Sequence, residues 1–90
     1  MELTQIVPIT HKYGLHARAS QRFAEVATSF DSQIFISKDG GHEADGKSIV
    51  GLLTLGAEMG NSLHLRVEGA DAEKCMAALV ALIQDNFGGV

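Results

Sequence analysis

Hydrophobic and polar residues alternate in several stretches of the chain, and this period of two predicts β-strands. In the first stretch, Leu3, Val7 and Ile9 share one side. Pro8 lies within it and cannot donate a hydrogen bond to a neighbouring strand, so we expect an edge strand. A Lys-Asp-Gly-Gly turn after the second stretch predicts a hairpin with a short returning strand. The four predicted strands cover residues 3–10, 33–37, 42–44 and 62–68.

Apolar residues recur at helical spacing in three other stretches, which we predict to be helices. They cover residues 17–30, 49–55 and 71–87. Ser48 is a natural N-cap for the second helix, which has only about two turns. Asp71 and Glu73 lie favourably at the positive end of the third. The apolar stripe of that helix consists of Ala72, Cys75, Met76, Leu79, Leu82 and Ile83.

The predicted order of elements is therefore β-α-β-β-α-β-α. Each strand has one apolar face that must be covered, and the amphipathic helices can cover it. We expect an α+β fold, a two-layer open-faced β-sandwich in which helices cover one face of a four-stranded antiparallel sheet. A length of 90 residues favours a single domain over 1–90.

Composition narrows the class of protein. The formal net charge is −4, which argues against nucleic-acid and anionic-membrane partners because both attract basic surfaces. Cys75 is the only cysteine, so the chain can form no internal disulfide, and this suits a reducing compartment. Neither a signal peptide nor a membrane span is indicated. We expect a small cytoplasmic module that docks onto other proteins and needs no cofactor.

The segment Gly14-Leu15-His16-Ala17-Arg18 is the first candidate for chemistry. His16 lies where a loop meets a helix N-terminus, and such an end offers unpaired N–H groups and partial positive charge to a phosphate. Arg18 can add charge-assisted hydrogen bonds to phosphate oxygens. A histidine here is suited to accept and hold a phosphoryl group. On position alone, a loop histidine that merely caps the helix is the commoner case.

Ser48 is the second candidate. A hydroxyl at a helix N-cap is a good acceptor for regulatory phosphorylation, since the helix end stabilises the added charge. An ordinary N-cap is the alternative interpretation, and position alone favours it.

Residues 41–48 also satisfy the pattern G-x-x-x-x-G-K-S of a P-loop. The context excludes a nucleotide-hydrolysing site, because the first glycine belongs to a hairpin turn and the following helix is short. Three further histidines, His11, His42 and His64, match no metal-ligand spacing, so we expect no metal site. Alternation places His64 on the solvent side of its strand. Cys75 is most simply a packing residue.

Two blocks of sequence together resemble the HPr family, the histidine phosphocarriers of the bacterial phosphotransferase system. Residues 14–18 look like the family's phosphohistidine motif, and residues 46–56 look like its regulatory-serine block. The predicted order of elements agrees with the family fold over nearly the whole chain. The two blocks at this separation are far more specific than either one, so they favour the functional interpretations of His16 and Ser48.

The resemblance implies a role for each site residue. His16 would take a phosphoryl group on Nδ1 from enzyme I and pass it to enzyme IIA domains, with Arg18 assisting the phosphate. The protein would then be a phosphoryl carrier rather than a stand-alone enzyme. Ser48 would be the target of an HPr kinase/phosphorylase, and a transcriptional regulator could recognise its phosphorylated form. A docking patch of exposed apolar residues would consist of Leu15, Ile49, Val50 and Leu53.

One departure from the family pattern concerns the first helical turn. The family usually has Pro-Ala after the arginine, whereas this chain has Ala19-Ser20. Alanine leaves the turn less preorganised and adds one backbone N–H. The departure puts partner preference in question, so the alternative is a regulatory paralogue, in a nitrogen-related branch or as a binding module recruited through phosphorylated Ser48. We expect a monomer in either case.

Overall fold

The computed structural model describes residues 1–90 and contains one four-stranded sheet, with spatial strand order β1-β4-β2-β3. All of its strand pairs are antiparallel. The elements are β1 (Glu2–Pro8), α1 (Ala17–Thr28), β2 (Gln33–Lys38), β3 (Ala44–Asp45), α2 (Ile49–Thr54), β4 (Ser62–Glu68), α3 (Ala72–Gln84) and α4 (Asn86–Gly89). The predicted α+β fold and the order of its first seven elements are confirmed.

Strand β4 lies in the middle of the sheet and pairs with both β1 and β2. Its residues alternate strictly, with Leu63, Leu65 and Val67 buried and the residues between them half-buried on the other face. Strand β1 is at the edge, as Pro8 predicts. This arrangement gives the sheet one apolar face and one polar face.

The helices cover the apolar face of the sheet and enclose one hydrophobic core. Its largest fully buried side chains include Phe23 of α1, Leu79 of α3 and Phe87 of α4. Cys75 is also fully buried, as predicted, and burial raises the pKa of its thiol. No helix is both long enough and apolar enough to cross a membrane.

The other face of the sheet is open. The guanidinium of Arg66 lies 3.9 Å from the centre of the Phe35 ring and is paired with Glu43 at 2.8 Å. Ile6 is 60% exposed on this face. His64 is half-buried there, between two buried leucines of β4, which agrees with its predicted orientation.

Several predicted boundaries were wrong. Strand β1 ends at Pro8 rather than at residue 10, because its ladder with β4 ends there, and α2 ends at Thr54, one residue early. Helix α1 ends at Thr28 rather than at residue 30, because the N–H of Ser29 bonds to the carbonyl of Val26 and closes a tighter last turn. The strand predicted over 42–44 comprises only Ala44 and Asp45, since no ladder pair with β2 forms before Ala44. Helix α3 ends at Gln84 instead of at residue 87.

The end of α3 has a clear backbone cause. Asn86 and Phe87 have φ values of 52° and 57°, in the left-handed region, so the helical path stops before them. This conformation places Phe87 in the core. The remaining residues form the short segment α4, which packs against α1 near the candidate site.

Candidate functional site

His16 is the N-cap of α1, as the sequence predicts. Its backbone is extended, with φ −77° and ψ −177°, and its Nδ1 accepts a hydrogen bond from the N–H of Arg18 at 3.2 Å. In a neutral imidazole only one nitrogen carries a proton, so this bond assigns the proton to Nε2. Nδ1 therefore holds the free electron pair of the ring, directed at the end of the helix.

The loop before His16 is held by close contact with the segment that follows α2. Gly14 has φ +60°, and a Cβ there would lie 2.5 Å from the carbonyl oxygen of Ala57. The next N–H, that of Leu15, donates to the same oxygen at 2.9 Å. Only glycine, which has no Cβ, lets the two backbone segments come this close, and this explains why a glycine lies two residues before His16.

Leu15 is 5% exposed and belongs to the hydrophobic core. The expectation that it forms part of an exposed docking patch was therefore wrong. Its side chain packs in the core, and its N–H ties the loop before His16 to Ala57.

The first turn of α1 leaves backbone donors free beside His16. The N–H groups of His16, Ala17 and Ala19 have no acceptor, whereas that of Ser20 bonds to the carbonyl of His16 at 2.8 Å. Arg18 is exposed and has no carboxylate partner. An anion at this helix end would meet the free N–H of Ala17 and an unpaired guanidinium, whereas the N–H of Ala19 belongs to a fully buried residue.

Two aromatic residues, which sequence reasoning left without a role, surround His16. The ring centre of His11 lies 5.1 Å from that of His16, and Tyr13 stands edge-on to it at 6.1 Å. Nε2 of His16 is buried and has no hydrogen-bond partner. The surroundings of the ring thus enclose Nε2, and Nδ1 is the ring nitrogen that faces the helix end. In the sequence, the one signal that could have pointed to these neighbours of His16 is Tyr13, an aromatic residue directly before Gly14.

His11 connects this site to the C-terminal segment. Its Nδ1 accepts a hydrogen bond from the N–H of Tyr13 at 3.0 Å, and its Nε2 donates to the main-chain oxygen of Val90. Phe87 packs against the same ring at 6.0 Å. No group of three or more His, Cys, Asp or Glu side chains is arranged to hold a metal ion.

Ser48 is the N-cap of α2, as predicted. Its Oγ accepts a hydrogen bond from the N–H of Gly51 at 3.0 Å, and its side chain is half-buried. Lys47 donates instead to the carbonyl of Phe30, so this lysine is engaged in holding the fold. The segment before α2 contains a turn and β3, and α2 has six residues, which is not the arrangement of a P-loop.

Helix α2 exposes the apolar residues that were predicted for docking. Ile49, Val50 and Leu53 are 43%, 71% and 42% exposed, whereas Leu52 is fully buried. We refer to Ile49, Val50 and Leu53 as the α2 patch. The segment after α2 reaches the His16 loop and adds Met59, which sequence reasoning missed and which is 60% exposed. Met59 and Tyr13 line one shallow depression.

The fold and the site define a small module that presents one histidine, at a helix end, beside an exposed apolar patch. Comparison with known proteins agrees. The family model described as "PTS HPr component phosphorylation site" matches residues 3–85. The phosphocarrier protein HPr of Neisseria meningitidis serogroup A is 42% identical over 86 residues, covering 96% of each chain. The phosphocarrier protein NPr of Escherichia coli K12 is 33% identical over 97% of each chain.

Solved structures give the same result. A crystal structure of HPr-C-His from Thermoanaerobacter tengcongensis superposes with a TM-score of 0.86 at 42% identity, covering 98% of this chain and 96% of that one. A structure described as an HPr dimer from the same organism has a TM-score of 0.75 at 43% identity, covering 91% and 93%. The chain belongs to the HPr family of phosphocarriers of the phosphotransferase system.

Proposed function

We propose that the protein accepts a phosphoryl group on Nδ1 of His16 from phosphorylated enzyme I and passes it to enzyme IIA domains. The observation that supports this proposal is the hydrogen bond from the N–H of Arg18 to Nδ1, which leaves the free electron pair of the ring on Nδ1 and directs it at the helix end. The protein would act as a single domain, 1–90, in the cytoplasm. The one free cysteine suits that compartment.

The transfer step requires only groups that the site contains. The electron pair of Nδ1 forms a bond to phosphorus while the bond from phosphorus to the donor breaks, and its electrons leave with the donor. The ring keeps its proton on Nε2 and gains positive charge. The N–H of Arg18, released from Nδ1, and the free N–H of Ala17 can then bind phosphate oxygens.

Arg18 supplies the mobile charge in this proposal. Because its guanidinium has no ion-pair partner, it can turn to the phosphate without breaking another interaction. Charge-assisted hydrogen bonds of this kind are about twice as strong as neutral ones. Arg18 would therefore stabilise the phosphate during transfer more than in the unphosphorylated protein.

The α2 patch would provide the docking surface for enzyme I and enzyme IIA domains. Exposed apolar residues next to a polar site are typical of protein interaction surfaces. Ser48 lies directly before this patch, and a phosphate on its Oγ would place negative charge at the rim. We therefore propose that phosphorylation by an HPr kinase/phosphorylase weakens docking, and that a transcriptional regulator recognises the phosphorylated form.

A regulatory paralogue, in a nitrogen-related branch or as a binding module used through phosphorylated Ser48, is the second candidate. The replacement of the usual Pro-Ala by Ala19-Ser20 favours it, together with the likeness to the differently named phosphocarrier NPr. The carrier and the binding module differ in the residue on which the activity of the protein depends. For a carrier in either branch, His16→Ala abolishes the activity and Ser48→Ala does not; for the binding module used through phosphorylated Ser48, the dependence is reversed.

The test of the carrier proposal is incubation with phosphoenolpyruvate and enzyme I, with the Neisseria HPr labelled in parallel. Acid-labile phosphate on the wild type and on Ser48→Ala, but not on His16→Ala, is expected. Failure to label the wild type while the control is labelled would overturn the proposal. We propose that a monomer is the active form, although one related HPr structure is a dimer. Sedimentation of the phosphorylated protein tests this point.

A further inference from the structure

Helix α1 could begin one residue earlier than it does, because one backbone hydrogen bond of its first turn is not formed. The N–H of Ala19 has no acceptor, and the carbonyl of Leu15 stands four residues before it, at the spacing of a helical hydrogen bond. If that bond formed, the helix would begin one residue earlier. His16 would then become its first helical residue and would lose the extended backbone that it has as the N-cap.

Such a change would disable the proposed site. The bond from the N–H of Arg18 to Nδ1 of His16 depends on the N-cap conformation, because only a residue with an extended backbone can turn its side chain back to the second N–H of the helix. The sequence permits this alternative because alanine at position 19 keeps its N–H.

Ser20 opposes the alternative from inside the protein. Its side chain is fully buried, and its Oγ donates a hydrogen bond to the carbonyl of Leu15 at 3.3 Å. This is the same carbonyl that the N–H of Ala19 would need. A buried hydroxyl requires a partner, and Leu15 is its only one, so the bond holds that carbonyl in its present direction.

We propose that Ser20 is a positioning residue that keeps His16 at the N-cap of α1, a task that Ala19→Pro could perform instead by removing the competing N–H. The proposal rests on the proposed phosphoryl transfer through His16 only for its functional consequence. Its structural part, the coupling between positions 19 and 20, can be measured in the unphosphorylated protein.

The experiment compares Ser20→Ala, Ala19→Pro and the double variant. Loss of one hydrogen bond worth about 1 kcal/mol corresponds to a roughly fivefold change in an equilibrium. We therefore expect Ser20→Ala to slow phosphorylation by enzyme I about threefold to tenfold and to shift the Arg18 amide resonance. Ala19→Pro alone should retain the wild-type rate. The double variant should recover to within about twofold of wild type, since the competing bond can no longer form.

Two further variants separate positioning from packing. Ser37→Ala removes another buried hydroxyl, in β2, and should leave the rate of phosphorylation unchanged. Ser20→Cys fills nearly the same space with a weak donor and should behave as Ser20→Ala does, which keeps the test valid if the alanine variant folds poorly.

The outcomes are distinct from those of the carrier proposal. If the double variant stays as slow as Ser20→Ala, or if neither Ser20→Ala nor Ser20→Cys alters the Arg18 amide resonance, Ser20 has no positioning role and the inference is overturned. If the wild type accepts no phosphate, the carrier proposal fails. Amide spectra of the variants still decide the coupling in that case, because the Arg18 resonance of the double variant should match that of Ala19→Pro alone, and this comparison needs no phosphorylation.

Discussion

Nδ1 of His16 lies 3.2 Å from the backbone nitrogen of Arg18, which donates a hydrogen bond to it. The electron pair that would attack phosphorus is therefore already directed at the N–H groups that would bind the phosphate. This preorganisation needs only an N-cap histidine and an unhindered helix end, so a domain of 90 residues suffices for it.

Phosphorylation should change the acceptor of the Arg18 N–H. Once Nδ1 is bonded to phosphorus, its electron pair is no longer available, and the N–H turns to a phosphate oxygen that carries negative charge. We expect a downfield shift of the Arg18 amide proton in ¹H–¹⁵N spectra. The N–H of Gly51, which donates to Ser48, is the internal control and should not move. An unchanged Arg18 resonance in phosphorylated protein would contradict this geometry.

Gly14→Ala should destabilise the fold more than the same change at Gly56. The two glycines have nearly equal φ values, +60° and +63°, so a side chain costs similar backbone strain at both, about 1–2 kcal/mol. Only at Gly14 would the added Cβ meet backbone atoms, at 2.5 Å from Ala57, whereas nothing lies within 4 Å at Gly56. Urea unfolding of both variants gives the difference. Equal losses of unfolding free energy would mean that the close approach of the two loops is unimportant.

Local patterns in the sequence were enough to predict the helices and strands and to select His16 as a candidate site residue. Strict alternation identified β4, Pro8 placed β1 at an edge, and the position of His16 before an amphipathic stretch made it an N-cap. Each of these depends on residues near one another in the chain. The exposed residues of α2 were also predictable, since a short helix with Leu52 inward must turn Val50 outward.

Contacts between distant segments were not predictable in this way. Leu15 was expected at the surface, yet its N–H pairs with Ala57, more than forty residues away, and its side chain lies in the core. The position of His11 beside His16 depends on the main chain of Val90 and on Phe87. Phe87 reaches it through a left-handed backbone that helical periodicity cannot reveal.

Val50→Glu should reduce transfer from enzyme I while leaving the fold intact. Val50 is 71% exposed in the α2 patch, so its replacement removes apolar contact area from a partner and adds a charge to be desolvated. We expect kcat/KM to fall about tenfold or more, mainly through KM. Ile6→Glu is the matched control, because Ile6 is 60% exposed but lies on the open face of the sheet. An equal fall in kcat/KM in both variants would mean that enzyme I does not dock on the α2 patch, or that docking depends only on charge.

Asp71→Asn should weaken the fold near neutral pH and not in strong acid. The Ser32 hydroxyl and the N–H groups of Asp31 and Ser32 donate to the Asp71 carboxylate, and they lower its pKa below the ordinary value of 3.8. The folded state therefore binds this proton less readily than the unfolded state, so the charged group stabilises the fold above pH 3.8. That stabilisation is lost as the pH falls through the lower folded-state pKa.

The corresponding measurement is the urea midpoint of wild type and Asp71→Asn across the acid range. The gap between the two should be widest near neutral pH and should close as the pH drops below 3.8. A difference in urea midpoint that does not change with pH would show that the negative charge of the Asp71 carboxylate does not contribute to stability.

The most direct test of the carrier function is to observe the bond between phosphorus and the imidazole. The ¹⁵N-labelled protein is phosphorylated with phosphoenolpyruvate and enzyme I, and the coupling of ³¹P to each ring nitrogen is measured by NMR. We predict coupling to Nδ1 of His16 alone, with no signal in His16→Ala. Coupling to Nε2, to a nitrogen of His11, or phosphorus bound only at a serine would contradict the account.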